Sequence, residues 1–238
     1  GRPDVVTTFD AEERPVRVDE DTDGDGKLES ATTFAAGQKE RTEKDRNGDG
    51  KPDVFAWYEG GRITRQEEDS NFDGVVDVKS RSGEKGSQVQ EADTNGDGRV
   101  DTWITTDARG VVLHKDEDRS GDGKPDLSAW FTGGKLSRLE QDTKGRGCAD
   151  LRQTFDAQEH VASEERDSNG DCKLDTWLSF ENGRLVLQAQ DTKGRGKPDV
   201  LNHLDPKGNI TVQEVASDGR RPDKKIFLCF VVFEKDQV

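Results

Sequence analysis

The sequence predicts an all-β fold: an elongated repeat array, meander or solenoid, of β-hairpins about 24 residues long joined by acidic loops. Three observations predict it. An aspartate recurs at Asp21, Asp45, Asp69 and Asp93, and the series continues with an occasional extra residue at Asp118, Asp142, Asp167 and Asp191. Each recurrence is followed by a short run of β-branched and aromatic residues, a turn, and a second short run, the pattern of a hairpin. Finally, 29% of residues are hydrophobic and 37% charged, too poor a mixture for a conventional core. On composition alone the chain reads as an acidic disordered tail. Its strict internal period argues against that and for stacked units that bury surface only against their neighbours.

The first strand of a hairpin is seen in Val54–Tyr58, Thr102–Thr106 and Leu127–Phe131. Gly60-Gly61, Gly133-Gly134 and Asn182-Gly183 supply the positive φ of tight turns, and Ile63, Leu136, Leu185 and Ile210 start the return strands. One column is large in nearly every repeat: Phe9, Phe34, Tyr58, Phe131, Phe155, Phe180 and Leu204. It predicts a buried ladder along the array rather than a ligand-stacking surface. Trp57 and Trp130 share one column, while Trp103 and Trp177 share another of opposite strand parity, which predicts that some are exposed. Similarity also recurs every third repeat: either a three-repeat unit was duplicated, or three hairpins complete one solenoid turn.

Residues 1–223 are assigned to the tandem repeats and 224–238 to an apolar C-terminal strand that caps the array or docks on another chain. Gly1-Arg2-Pro3-Asp4 matches the end of a loop, and Arg221-Pro222-Asp223 keeps the register of a last, eroded one. The chain has no methionine, which suggests a processed protein or a piece of a longer one.

Each repeat opens with a nine-residue segment of the type Asp-x-Asn-Gly-Asp-Gly-x-x-Asp. Oxygen-bearing side chains at positions one, three, five and nine, with glycine at six for the sharp turn, are what a calcium ion's flexible shell of oxygen ligands requires. Five loops meet this pattern: Asp21/Asp23/Asp25/Glu29, Asp45/Asn47/Asp49/Asp53, Asp69/Asn71/Asp73/Asp77, Asp93/Asn95/Asp97/Asp101 and Asp118/Ser120/Asp122/Asp126. A sixth, Asp167/Asn169/Asp171/Asp175, has Cys172 in place of the glycine and is expected to be weaker or distorted. About six Ca2+ ions would bring about +12 against a formal charge of −15.

The loops at Asp142 and Asp191 carry Lys144/Arg146 and Lys193/Arg195 where ligands belong, and are expected to be metal-free. Either these cations pair internally with Asp142/Asp150 and Asp191/Asp199, or the loops are lapsed sites with solvated charges. Cys148 and Cys172 lie at nearly equivalent places in adjacent loops, within plausible disulfide reach, which leaves Cys229 unpaired.

The loops resemble the calcium-binding Asp-x-Asp-x-Asp-Gly class, most closely the nine-residue loops of integrin-type FG-GAP repeats and more distantly thrombospondin type 3 repeats and dockerins. They depart from the EF-hand, because Thr32, Ala56, Ser80 and Ile104 stand where its bidentate glutamate is expected. The period is also about half what a four-stranded propeller blade needs. The resemblance implies calcium binding in an extracellular, cell-surface or periplasmic protein.

The acidic balance excludes nucleic acid as a partner, and no apolar run reaches the length of a membrane span. His114, His160 and His203 are scattered, and the paired carboxylates all sit at loop positions, so no catalytic residues are assigned and an enzyme is not expected. What remains is a secreted bacterial structural scaffold: a surface spacer, adhesin stalk or filament component. The alternative is a surface module binding carbohydrate or protein through exposed aromatics, and self-association through the C-terminal strand is a further expectation.

Overall fold

A turn every dozen residues limits each strand to four to seven residues and brings it back against its sequence neighbour. The structure, a computed structural model, describes residues 2–216 and 224–227. Two units are distinguished, Gly1–Pro125 and Asp126–Val238. In the first, β1 (Val5–Phe9), β2 (Pro15–Glu20), β3 (Ser30–Ala35), β4 (Gln38–Lys44), β5 (Val54–Glu59), β6 (Arg62–Glu68), β7 (Val78–Ser82), β8 (Gln88–Ala92), β9 (Thr102–Thr106) and β10 (Val112–Glu117) pair in sequence order, always antiparallel. The second repeats this with β11 (Leu127–Thr132), β12 (Lys135–Gln141), β13 (Leu151–Phe155), β14 (Val161–Arg166), β15 (Thr176–Glu181), β16 (Arg184–Gln190), β17 (Val200–Leu204), β18 (Ile210–Val215) and β19 (Lys224–Phe227). Within each unit, then, the meander alternative is the one that forms. The fold is an all-β array of hairpins. Of the apolar C-terminal segment, only Lys224–Phe227 is described, paired with β18; Arg221–Asp223 and Cys229 lie outside the described residues.

Because a meander reverses at every strand, its two kinds of connection segregate. Tight turns occupy one edge and the nine-residue loops the other, spaced by two strands, roughly 10 Å. Gly60-Gly61, Gly133-Gly134 and Asn182-Gly183 have both residues at positive φ, as expected, and Ala36-Gly37 joins them. Four other hairpins use a turn that an aspartate organises. Asp10, Asp107, Asp156 and Asp205 each accept the amides two and four residues on, at 2.8 to 3.0 Å.

The column of large residues has a different role from the one expected. Phe34, Tyr58, Phe131, Phe155, Phe180 and Leu204 are half-buried and Phe9 is 57% exposed. Each instead sits at the point where its hairpin slips register by one residue. Such a bulge bends the strand and increases its twist. Where the extra residue carries a hydroxyl it donates to the carbonyl across the slip, as Ser137 does to Trp130 at 2.9 Å and Thr211 to His203 at 3.2 Å. Among the described residues the fully buried hydrophobics are all alanines: Ala56, Ala92, Ala129, Ala189 and Ala216. Within each unit the described strands form one layer, which cannot sequester a large side chain, so small ones fill the shielded places.

All four tryptophans are half-buried; none is exposed. Side chains alternate across the sheet, so Trp57 shares a face with Arg41 and Arg65, its partners on either side. Their guanidinium carbons lie 5.3 and 4.5 Å from its ring centroid. Arg138 covers Trp130 in the same way at 4.7 Å. Both Arg65 and Arg138 are also paired two residues along the strand, to Glu67 and Glu140.

Candidate metal centre

The nine-residue loops are built around their own carboxylates. In Asp45–Asp53, Gly48 donates its amide to Asp45 Oδ1 at 2.8 Å and Gly50 donates to Oδ2 at 2.7 Å. Asp49 donates to Asn47 Oδ1 at 2.9 Å, and Lys51 to Asp49 Oδ1 at 2.8 Å. The closing residue completes the ring, since Arg46 and Asn47 donate to Asp53 Oδ2 at 2.8 and 3.3 Å. The same scheme recurs in Asp69–Asp77, Asp93–Asp101 and Asp167–Asp175. Asp118 likewise accepts from Gly121 and Gly123, both at 2.7 Å, and Asp122 accepts from Lys124; Asp126 belongs to the second unit.

Two features of these loops escape a reading by composition. First, the loops are stitched to one another. The first aspartate of each donates its amide to the carbonyl of the preceding loop's last residue: Asp45 to Glu29, Asp69 to Asp53, Asp93 to Asp77, Asp167 to Asp150, all at 2.8 to 2.9 Å. Second, the most buried polar residues among those described are these acids. Asp53, Asp167 and Asp199 are each 3% exposed, and Asp69, Asp77, Asp101, Asp118, Asp142, Asp150 and Asp175 are buried too. Burial pushes the carboxyls of Asp77 and Asp101 up. In Asp77 the hydroxyl and amide of Ser70 and the amide of Asn71 outweigh it, and in Asp101 the hydroxyls of Thr94 and Thr102 with the amides of Thr94 and Asn95 do so. Both end below the ordinary carboxylate value.

One loop differs. Asp21, Asp23, Asp25 and Glu29 each bring a carboxylate oxygen within 4.8 Å of the others, and among the described residues no other group of three or more acidic, histidine or cysteine side chains does so. Glu29 Oε2 accepts the Thr22 amide at 2.9 Å, while Oε1 is buried without a hydrogen-bond partner. In Asp69–Asp77, Asp93–Asp101 and Asp167–Asp175 both oxygens of the closing aspartate already accept hydrogen bonds. The extra methylene of Glu29 carries an oxygen past the loop amides, where the shorter aspartate stops at them. An all-oxygen donor set with one orphaned buried oxygen fits a hard cation such as calcium.

The remaining site residues are placed as follows. Ser120, at the third position of the Asp118 loop, is exposed, and its hydroxyl donates to Asp118 Oδ1 at 3.2 Å. Asn47, Asn71 and Asn95 extend a carbonyl oxygen into the turn at the same position. Burial pushes the Asp118 carboxyl up, and the amides of Gly123 and Gly121 with the Ser120 hydroxyl outweigh it, so that it lies below the ordinary value.

Cys172 adopts φ +65° and its amide donates to Asp167 Oδ2 at 2.9 Å, so the glycine-less loop keeps the turn. Phe72, at the fourth position of Asp69–Asp77, is also at positive φ, +63°, beneath the guanidinium of Arg46. Cys148 and Cys172 form a disulfide with Cα atoms 5.8 Å apart, the expected bridge. Lys193 pairs with Asp199 at 3.3 Å and donates to the Ala216 carbonyl at 3.1 Å. Arg146 lies 3.7 Å from Asp150 in its own loop, but its shorter contact, 2.8 Å, is to Asp167 in the next.

Comparison with known proteins agrees over part of the chain. Residues 45–104 match the family model described as FG-GAP-like repeat. That span runs from the Asp45 loop through the Asp93 loop into β9 and is about a quarter of the sequence. No curated protein matches the chain. Among solved structures, a mutant of TarM from S. aureus in complex with fondaparinux, alpha-GlcNAc-glycerol and UDP aligns at 12% identity and TM-score 0.31, covering 46% of this chain and 21% of that one. The complex TcdB2-TccC3-Cdc42 aligns at 12% identity and TM-score 0.21, covering 89% of this chain and 15% of that one. This chain thus spans about a fifth or less of the length of either, and scores this low inform neither its fold nor its role. Among the described residues, no helix is long and apolar enough to cross a membrane.

Proposed function

We propose that this chain is a calcium-stabilised, non-enzymatic repeat scaffold of an extracellular or cell-surface protein. The observation that carries the reading is the Asp21/Asp23/Asp25/Glu29 cluster with the orphaned Glu29 Oε1. These four residues would hold the ion, with the loops at Asp45, Asp69, Asp93 and Asp118 as sister sites of the same frame. Bound calcium supplies positive charge among crowded carboxylates and ties the two ends of a loop together. The chain supplies the rest. Asx-type hydrogen bonds preform the turn, and the amide-to-carbonyl stitch between loops passes rigidity from one repeat to the next. The FG-GAP-like match over residues 45–104, the formal charge of −15 and a disulfide suited to an oxidising compartment support the same reading.

The scaffold role is preferred to carbohydrate binding because guanidinium groups already cover the rings of Trp57 and Trp130, where a sugar would stack. Thermal melts followed by circular dichroism, in calcium and in EDTA, test the proposal. Calcium is expected to raise the midpoint by about 10 °C or more, as occupancy of several sites at saturating ion requires. Superimposable melts would overturn it.

A further inference from the structure

The Asp142–Asp150 and Asp167–Asp175 loops of the second unit are joined by more than the backbone stitch. Arg146 occupies position five of its loop, where Asp25, Asp49, Asp73 and Asp97 stand in the first unit. Its side chain leaves its own loop for the neighbour, and Nη2 donates to Asp167 Oδ2 at 2.8 Å. The Asp167 side chain is 0% exposed and that of Asp150, 3.7 Å from the same nitrogen, only 4%. Nη1 lies over Gly170, so close that a Cβ added there would meet it at 2.7 Å. Arg146 Nε is buried without a hydrogen-bond partner. The Arg146 side chain is 25% exposed, and the cost of burying the rest of its guanidinium is offset by two buried carboxylates from successive loops. The remaining contacts of Asp167 are the amides of Gly170, Asp171 and Cys172, at 2.6, 3.2 and 2.9 Å.

We propose that Arg146 is the built-in cation of the Asp167 loop, standing in from the neighbouring loop for a divalent ion, so that this loop is closed to calcium in the native chain and opens to it when the guanidinium is removed. The Cys148–Cys172 bridge holds the same two loops in register. The calcium half of the proposal rests on the scaffold reading above; the structural half does not.

The test uses the full chain with Arg146→Gln, Arg146→Lys, Asp167→Asn and the double variant Arg146→Gln/Asp167→Asn. In EDTA, Arg146→Gln is expected to melt about 5 °C or more below the native chain, because it strands a buried carboxylate. In calcium it should recover most of that loss and bind one more ion by equilibrium dialysis. The double variant should return to the native ion count, and Arg146→Lys, which keeps the charge, should never leave it. An Arg146→Gln chain that melts with the native one in EDTA overturns the proposal. So does an unchanged ion count in that variant, or a native count that Asp167→Asn lowers by one. A native chain that binds no calcium speaks against the scaffold reading, while the EDTA melts still decide the role of Arg146.

Discussion

The Asp21–Glu29 loop of the first unit and the Asp167–Asp175 loop of the second share one nine-residue frame and differ in what balances their charge. In the first, four carboxylates gather, and one oxygen of Glu29 is buried without a hydrogen-bond partner. In the second, both oxygens of the closing Asp175 are taken by Ser168, Asn169 and Thr176, and the opening Asp167 is met by Arg146. The backbone hydrogen bonds that shape the turn are nevertheless the same: Gly24 and Gly26 donate to Asp21 as Gly170 and Cys172 donate to Asp167. Loop geometry and loop charge are therefore separable. The frame is set by amides and side-chain oxygens in both, and in the second loop an arginine supplies the opposite charge.

Acid should erase the difference, and its effect is the largest expected. Burial pushes the Asp21 and Asp167 carboxyls up, but it is outweighed by the amides of Gly26 and Gly24 in one, and by those of Gly170 and Cys172 together with Arg146 in the other. Both carboxyls lie below their ordinary value. Asp118, Asp142 and Asp191 are lowered in the same way by loop amides. A carboxyl whose folded value is depressed contributes stability that is complete above its unfolded value, about 3.9, and is lost as pH falls through the folded one. Thermal melts in EDTA should thus change little from pH 7 to 5 and collapse below about pH 4, with loops of both units losing hydrogen-exchange protection together. Protection that survives at pH 3 would show that these carboxylates do not hold the frame.

Removing the covalent tie, which lies within the second unit, should instead act on one loop and spare the other. Cys148→Ser with Cys172→Ser opens a link between residues 24 apart, which costs about 2–4 kcal/mol by the loop-entropy rule. Hydrogen exchange should then rise across residues 142–175 and stay unchanged in 21–29. An equal rise in both segments would mean that the repeats unfold as one body and that the contrast between loops has no energetic meaning.

The architecture was legible because its determinants are local and periodic. Gly60-Gly61 and Gly133-Gly134 specify the hairpins, and the recurring aspartates locate the loops. The bridge between Cys148 and Cys172 followed from their equivalent places in adjacent repeats. What was not legible depends on side-chain reach and on layers. The large column from Phe9 to Leu204 looked like a core because bulky residues usually are one, yet a single sheet offers no interior, and these residues mark bulges instead. The aspartates at 10, 107, 156 and 205 recur before a turn in the sequence, but their role shows only in the amides they accept. For Arg146 the sequence leaves open an ion pair within its own loop or a solvated charge; the nearer carboxylate, Asp167 of the next loop, depends on how adjacent loops are placed in space.

The finest cut is at Glu29, where one methylene distinguishes this loop from its neighbours. Glu29→Asp should convert it into a loop of the Asp45 type. The shorter side chain keeps the hydrogen bond that Glu29 now accepts from the Thr22 amide, so the apo frame survives and melts in EDTA shift by no more than about 2 °C. What it loses is reach: the oxygen now orphaned at Oε1 would be drawn back toward the loop amides, as Asp53 Oδ2 is by Arg46 and Asn47. Calorimetric titration should show the tightest calcium step weakened about tenfold, the equivalent of about 1.4 kcal/mol. An unaltered isotherm would mean that Asp21, Asp23 and Asp25 bind without the fourth carboxylate. The gathered geometry would then be a consequence of the longer side chain and not the basis of the site.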